Sequence, residues 1–203
     1  MLTNYIPQFL HNKLIHNKRI HILEQKINAI IPKNTQSVLD IGCGDGLISS
    51  IIQKKRSTLE IQGLEVFKRN KCLIPCKYFN GKKIPYKNNS FDLCMMVDVL
   101  HHTTDINVLL KEAQRVTKRY ILIKDHIYSN KFEFYILKVM DWVGNKPYGV
   151  KLVYNYQRDK EWKELFKLNK LNILKWQNNL PLYIFPFNLL FGRKMHVLIL
   201  LEK

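Results

Sequence analysis

The chain has 203 residues, which is enough for one domain with a buried core. Its composition, 46% hydrophobic and 24% charged, is typical of a globular protein and excludes a disordered chain, and no run of about 18 apolar residues predicts a transmembrane helix. The net charge of +17 comes from 33 basic residues that are spread along the chain, and 26 of them are Lys. We therefore interpret the charge as a solvated Lys-rich surface, with nucleic-acid binding as the alternative.

The first 35 residues predict a helical cap. Over residues 8–31 apolar side chains recur at three- and four-residue steps, which predicts a helix that Pro32 ends. From residue 36 strands alternate with helices, and this alternation predicts a largely parallel sheet with right-handed crossovers. The predicted elements are, in chain order, strand 37–41, helix 45–55, strand 59–66, strand 77–79, strand 91–97, helix 107–117 and strand 120–124.

Residues 126–157 interrupt the alternation and predict a lid. This insertion contains a predicted helix over 131–143 and a turn-rich loop over 144–156. A helix over 158–168 and two strands, about 171–177 and 195–202, follow it. The sequence thus predicts a single domain over 1–203, made of the cap (1–35), a ligand-binding core (36–125), the lid (126–157) and a C-terminal helix with a strand pair (158–203).

Four cysteines, at positions 43, 72, 76 and 94, bear on redox state and metal binding. The N-terminus lacks the charged-then-apolar pattern of a signal peptide. Cys72 and Cys76 are separated by three residues and have no second Cys or His pair downstream at zinc-site spacing. We therefore expect four reduced thiols in a cytoplasmic protein and no metal site.

The most informative motif is a glycine turn between the first strand and its helix, VLDIGCGDG (38–46). Glycine permits positive φ and close approach of a ligand, and the following helix offers free N–H groups. Asp40 is unfavourable beside a diphosphate but suits an amino-acid ammonium group or an ordered water near it. Glu65, at the end of the second strand, can accept two hydrogen bonds from a ribose diol. The pattern predicts a non-phosphorylated, ribose-bearing ligand with an amino-acid end, which describes S-adenosylmethionine.

Several stretches together resemble a known family. They are VLDIGCGDG (38–46), GLEV (63–66), IPYKNNSFDLCMMVDVLHH (84–102), EAQRV (112–116) and YILIKDH (120–126). In this order and spacing they are similar to the class I S-adenosylmethionine-dependent methyltransferases, and more narrowly to the type 11 methyltransferase domain. The resemblance implies a three-layer Rossmann-like sandwich with a seven-stranded, mostly parallel sheet, an antiparallel last strand and helices on both faces. Residues 140–156 are also similar to a bacterial subgroup without a settled substrate.

The resemblance implies a cofactor role for ten residues. Gly42, Cys43 and Gly44 would contact the methionine part through their backbone, with Asp40 supporting it. Glu65 would hold the ribose hydroxyls and Val66 would pack on the adenine. The remaining four would border the adenine amino group (Asn80 and Gly81) and the methionine end (Val97 and Asp98). Asn80 departs from the Asp that the family often has at this point.

The chemistry requires an aligned nucleophile, exclusion of water and, for a protonated acceptor, a base. Our hypothesis is that His126 or His102 is the base and that Asp125 orients it. The resemblance also implies that one histidine of the pair His101–His102 borders the site. The lid and this pair supply the predicted substrate pocket: His101, Asp141, Trp142, Asn145, Tyr154 and Tyr156.

Three functions remain open at this level. The favoured one is methyl transfer to an O, N or C atom of a small molecule, lipid-like or a natural product. The alternatives are an RNA methyltransferase that uses the basic surface and a non-catalytic cofactor-binding or membrane-surface protein, the latter through the aromatic segment 180–191. Neither an appended RNA-binding module nor an NPPY motif appears in the sequence, and no obligate protein partner is evident.

Overall fold

A computed structural model of the chain describes residues 17–67, 71–146, 149–183, 188 and 194–203. The predicted helix over 8–31 is described from Asn17 to Ile30, and its earlier part lies outside the described residues. Most of the aromatic segment 180–191 also lies outside them. None of the helices in the described part of the chain is long and apolar enough to cross a membrane.

The described residues form one seven-stranded sheet in the order β3-β2-β1-β4-β5-β7-β6. The strands are β1 (Ser37–Ile41), β2 (Glu60–Glu65), β3 (Cys76–Tyr78), β4 (Phe91–Val97), β5 (Thr117–His126), β6 (Asn172–Asn178) and β7 (His196–Glu202). β1 to β5 are parallel, and β7 runs antiparallel between β5 and β6. The predicted fold class is confirmed.

Helices cover both faces of the sheet. They are α1 (Asn17–Ile30), α2 (Leu47–Lys55), α3 (Ile106–Val116), α4 (Lys131–Asn145) and α5 (Asp159–Leu168). Apolar residues of α1 and α2 pack with one face of the sheet, while those of α3 and α5 pack with the other. β4 has four consecutive residues with no exposed surface, Leu93 to Met96, because both of its faces are covered. The hydrophobic periodicity of the helices therefore produces the three layers.

Two helices begin where a polar side chain satisfies their first free N–H groups. The Asp105 carboxylate accepts hydrogen bonds from the N–H of Asn107 and of Val108 at the start of α3. Asn130 accepts one from the N–H of Glu133 at the start of α4. α4 packs through Leu137 on a separate small cluster with Tyr156 and Met195. These caps set where the segments after β4 and β5 turn back over the sheet.

β5 is longer than the predicted strand 120–124. It extends to His126 because β7 pairs with it on one side, with His126 opposite His196 in the register. β4 pairs with it on the other side as far as Lys124. The longer strand holds Lys124, Asp125 and His126 at fixed positions at the carboxyl end of β5.

Candidate active site

The glycine turn after β1 is held against the end of β2. The N–H of Gly42 donates to the carbonyl of Leu64 at 2.6 Å. The N–H of Gly44 donates to Glu65 Oε2 at 2.9 Å. Gly42 and Gly44 have φ of 72° and 60°, in the left-handed region that favours glycine. The turn and the Glu65 carboxylate therefore form one structural unit at the carboxyl end of the sheet.

The glycine turn is closed at Gly42 and open at Gly44. A Cβ added at Gly42 would lie 2.6 Å from Val99 Cγ2, so a side chain cannot fit there. A Cβ added at Gly44 would meet no atom within 4 Å, so this part of the turn is accessible to a ligand. Glu65 is buried and its Oε1 accepts from the N–H of Val66 at 2.8 Å. The N–H of Phe67 donates to the same oxygen at 3.3 Å, so three backbone N–H groups fix the Glu65 carboxylate at the strand end.

Asp40 lies beneath the turn in a buried position on β1. Its Oδ2 accepts a hydrogen bond from the Ser49 hydroxyl of α2 at 2.5 Å. Burial raises the pKa of Asp40 to about 7, the Ser49 hydrogen bond opposes this, and the negative charge of Glu65 adds to it. The charge of the Asp40 carboxyl consequently changes near neutral pH.

Val66 and Gly81 lie together at the predicted adenine side, since a Cβ added at Gly81 would be 3.3 Å from Val66 Cγ1. Val66 is 44% exposed and is available to a planar ring. Asn80 makes backbone hydrogen bonds in the structure instead. Its Oδ1 accepts from the N–H groups of Lys82 and Lys83 at 2.9 and 3.0 Å and so stabilises a turn. The oxygen that the sequence assigned to the adenine amino group is engaged by the backbone.

Asp98, directly after Val97 at the end of β4, is the centre of a charge cluster. Its carboxylate pairs with Lys124 of β5 and with Arg19 of α1. Burial would raise the pKa of Asp98, but these two cations outweigh it and hold the pKa well below its usual range. Burial lowers the pKa of Lys124 despite this pairing. The cluster joins the helical cap to the sheet beside the predicted methionine end.

Asp125 orients a different histidine from the two that the sequence favours. Its Oδ1 lies 2.6 Å from His101 Nδ1, and its Oδ2 accepts from the N–H of Leu100 at 2.9 Å. His101 is buried, with Nε2 3.7 Å from Asp141 Oδ1. Burial opposes a charge on His101, but the two carboxylates prevail and raise its pKa to about 10. His101 is therefore an imidazolium held between two aspartates.

The surroundings of the other two histidines, His102 and His126, disfavour their charged forms. His102 Nδ1 lies 3.2 Å from the Lys151 carbonyl, and its Nε2 lies 3.6 Å from Asp141 Oδ1. Burial and the charge of His101 lower the pKa of His102. Burial and the charge of Lys124 lower the pKa of His126 well below its usual range. Of the two, His102 has the more exposed side chain, 17% against 11%.

The predicted substrate pocket is divided between the inner and outer sides of α4. On the inner side, Asn145 donates to Asp141 Oδ1 at 2.5 Å, and the Tyr156 hydroxyl lies 3.0 Å from Asp141 Oδ2. These residues form one network with His101. Trp142 is 51% exposed and lines a shallow outer depression with Tyr154. The structure therefore separates Trp142 and Tyr154 from the buried histidines.

Residues outside the sequence-based candidate set complete the site. Arg19 and Lys124 neutralise Asp98, and Ser49 fixes Asp40. The buried His196 of β7 lies with its ring centroid 4.8 Å from that of His126. The sequence did contain a signal for Lys124, because this lysine directly follows the apolar residues of the strand YILIK. Arg19 and His196 have no such signal, because only the tertiary fold brings them to this edge.

The chain is similar in sequence to known methyltransferases. A family model described as a methyltransferase domain matches residues 39–120. A ubiquinone/menaquinone biosynthesis C-methyltransferase of Rickettsia akari is 27% identical over 151 residues, which are 62% of this chain and 61% of that protein. A ubiquinone biosynthesis O-methyltransferase of Pelagibacter ubique is 25% identical over 206 residues, covering 89% of this chain and 75% of its own. The chain thus spans less than two thirds of the first of these relatives.

Solved structures share the fold. A methyltransferase of Thermotoga maritima that depends on S-adenosylmethionine superposes with a TM-score of 0.67 at 19% identity, covering 98% of this chain and 97% of its own. Another, of Aquifex aeolicus, has a TM-score of 0.62 at 14% identity and covers 95% and 92%. The sheet order, the glycine turn and these similarities agree with one another. Residues 39–120 therefore match a methyltransferase domain, and the described residues have the fold of S-adenosylmethionine-dependent methyltransferases.

Proposed function

We propose that the protein transfers the methyl group of S-adenosylmethionine to an O, N or C atom of a small-molecule acceptor by direct displacement. The observation that carries the proposal is the adjacency of two sites on one sheet edge. The glycine turn with Glu65 ends β1 and β2, and the histidine–aspartate network ends β4 and β5. Ligands of such sheets bind at the carboxyl ends of the strands.

In this proposal the cofactor is held by Asp40, by Gly42–Gly44 and by Glu65. When bound, the cofactor supplies a methyl group that its sulfonium already activates. The chain contributes position and the exclusion of water. Asp98 is already paired with Lys124 and Arg19, so we assign it to shaping the methionine end and not to a direct bond with the cofactor.

We assign the general base to His102. The Lys151 carbonyl can only accept a hydrogen bond, so the contact at 3.2 Å places the ring hydrogen of His102 on Nδ1. Nε2 then keeps its lone pair for the proton of an acceptor. Asp141, 3.6 Å from Nε2, would stabilise the imidazolium that forms. His101 and Asp125 position the 3-10 turn Leu100–His102.

A small molecule suits the enclosed character of this network. Asp141 and Tyr156 cover His101, which keeps 2% of its side chain exposed. A folded RNA would need a wide basic groove instead. The relatives named for ubiquinone biosynthesis support the same acceptor class. The assay must therefore distinguish methylation of a small molecule from methylation of RNA.

The test is transfer of labelled methyl from S-adenosylmethionine by the full chain. We expect label in at least one member of a panel of phenols, catechols and hydroquinones with short alkyl chains. We expect none above background in total RNA of bacterial origin. Label in RNA alone would replace this proposal with RNA methylation. Binding of the cofactor with no transfer to any acceptor would favour a non-catalytic protein.

Replacement of His102 should reduce the rate of transfer. We expect His102→Ala to lower kcat by about 100-fold or more, the typical effect of a general base, while the Kd of S-adenosylmethionine stays within about twofold. His21→Ala, an exposed change on α1, is the matched control. Near wild-type kcat in both His102→Ala and His126→Ala would rule out a histidine base.

Binding of the cofactor should strengthen as pH rises through the range in which Asp40 ionises. A carboxyl with a pKa of about 7 is mostly neutral at pH 5.5, and an ammonium group prefers its charged form. From pH 5.5 to 7.0, below the usual pKa of an α-amino group, we expect Kd to fall roughly tenfold in calorimetric titrations. Asp40→Asn should bind weakly with a flat profile. An equally steep profile in Asp40→Asn would assign the dependence to another group.

A further inference from the structure

Three cysteines converge beside the glycine turn although they are distant in sequence. The Sγ atoms of Cys43, Cys72 and Cys76 all lie within 4.8 Å of one another. Those of Cys43 and Cys76 are 3.6 Å apart. All three thiols are free and partly buried, whereas Cys94 is fully buried on β4. A cluster of this kind is not needed for methyl transfer.

Backbone pairing holds each of these sulfurs in position. The N–H of Cys43 donates to the Leu64 carbonyl at 3.3 Å, and Cys76 begins β3 opposite Gly63. Cys72 precedes Leu73, whose N–H donates to the carbonyl of Asp45 in the glycine turn at 2.8 Å. The crossover between β2 and β3 is thereby tied directly to the turn.

Gly63 provides the space for this arrangement. A Cβ added at Gly63 would lie 2.6 Å from Cys43 Sγ and 3.1 Å from Ile74 Cδ1. The sulfur of Cys43 therefore occupies a recess in β2 that only glycine leaves open. Gly46 leaves room for Cys72 in a similar way, since a Cβ added at Gly46 would lie 3.1 Å from Cys72 Sγ. The two glycines thus leave the room in which these thiols lie close together.

We propose that Cys43, Cys72 and Cys76 form a binding site for a thiophilic divalent cation of the Zn²⁺ type. Two thiolates at about 2.3 Å from one tetrahedral zinc lie about 3.8 Å apart, and the separation of Cys43 Sγ and Cys76 Sγ, 3.6 Å, is close to that distance. Soft sulfur ligands select such a cation over Mg²⁺ and Ca²⁺. Each cysteine that binds releases its thiol proton to solvent and donates a sulfur lone pair, so no redox step is involved.

This site goes beyond the transferase activity, because it links the cofactor turn to the β2–β3 crossover. An occupied site would hold Cys43 against Cys72 and Cys76 and so stiffen the backbone between Gly42 and Gly44. A ligand that binds only the folded chain raises its Tm. Metal binding should therefore be visible in stability even when no S-adenosylmethionine is present.

The experiment titrates the reduced, metal-free full chain with Cd²⁺, whose bonds to thiolates give a charge-transfer absorption in the ultraviolet. We expect one Cd²⁺ per chain and a Tm rise of roughly 5 °C or more at saturation. Cys72→Ser and Cys76→Ser should each weaken Cd²⁺ affinity at least about 100-fold, because each removes one of three ligands. Cys94→Ser, outside the cluster, is the matched control and should keep the wild-type affinity. Mg²⁺ should give no Tm rise.

Three results would overturn the proposal. The first is the absence of a charge-transfer band in the wild-type chain, a readout that does not depend on any variant folding. The second is a Cd²⁺ affinity that is the same in Cys72→Ser, in Cys76→Ser and in the wild type. The third is loss of two free thiols in air with no metal retained, which would indicate a disulfide within the cluster instead.

Discussion

Glu65→Ala should abolish measurable binding of S-adenosylmethionine at micromolar concentrations. In the proposed site the carboxylate accepts two hydrogen bonds from the ribose, each worth about 1.5 kcal/mol or more for a charged acceptor. Together they correspond to a Kd increase of roughly 100-fold. The loss should be larger still, because Glu65 Oε2 also holds the N–H of Gly44 at 2.9 Å. Without that bond the glycine turn loses its fixed position.

Two further variants, Glu65→Gln and Glu60→Gln, distinguish the loss of the Glu65 charge from a general effect on the fold. The glutamine at 65 keeps one acceptor oxygen, so we expect an intermediate Kd, roughly tenfold above the wild type. Glu60 is exposed at the opposite end of β2, and its replacement should leave Kd unchanged. Calorimetric titration measures all three, and circular dichroism verifies the fold. Binding of Glu65→Ala within about twofold of the wild type would remove Glu65 from the cofactor site.

Lys124→Met should lower the free energy of unfolding by about 3–5 kcal/mol. Lys124 is fully buried on β5 and pairs with Asp98, and removal of one member of a buried pair leaves an uncompensated charge. Arg19 stays beside Asp98 but comes from α1 and is partly exposed, so it compensates only in part. Urea denaturation measures the change. A loss below about 1 kcal/mol would show that Asp98 does not depend on Lys124.

The same strand offers a matched control. Lys118 also pairs with an aspartate, Asp92, at 2.9 Å, but its side chain is 52% exposed. A solvent-exposed ion pair of this kind contributes about 0–1 kcal/mol, so Lys118→Met should have little effect. In the double variant Lys124→Met/Asp98→Asn the cost should be smaller than the sum of the two single changes. Strict additivity would mean that the two charges are not coupled.

Local patterns were sufficient for most of the fold. The apolar run at 91–97 is β4 over the same residues, and the strand and helix around VLDIGCGDG begin and end within about two residues of the prediction. Such segments are determined by burial on both faces and by glycine conformation, both of which are local in sequence. The extent of β5 was underestimated, because the pairing of residues 120–126 with β7 depends on a strand about 75 residues later in the chain.

The structure brings some of the predicted site residues together and gives others different contacts from those expected. Glu65 and the glycine turn lie together as their motif implies. The partner of Asp125 was expected to be His126 or His102, and the structure has His101 instead. Asn80 is engaged in a turn, and Trp142 lies on the outer side of α4. Which side chain meets which is a property of packing, and the residue types alone do not specify it.

Residues close together in the chain were enough to predict the alternation of strands and helices and the glycine turn, and with them the resemblance to a methyltransferase family. Long-range packing, by contrast, brings Arg19 and Lys124 to Asp98 and places Cys43 beside Cys72 and Cys76. The reason is physical: parallel strands distant in sequence end at the same side of the sheet, and a charge that is buried there needs an opposite charge beside it.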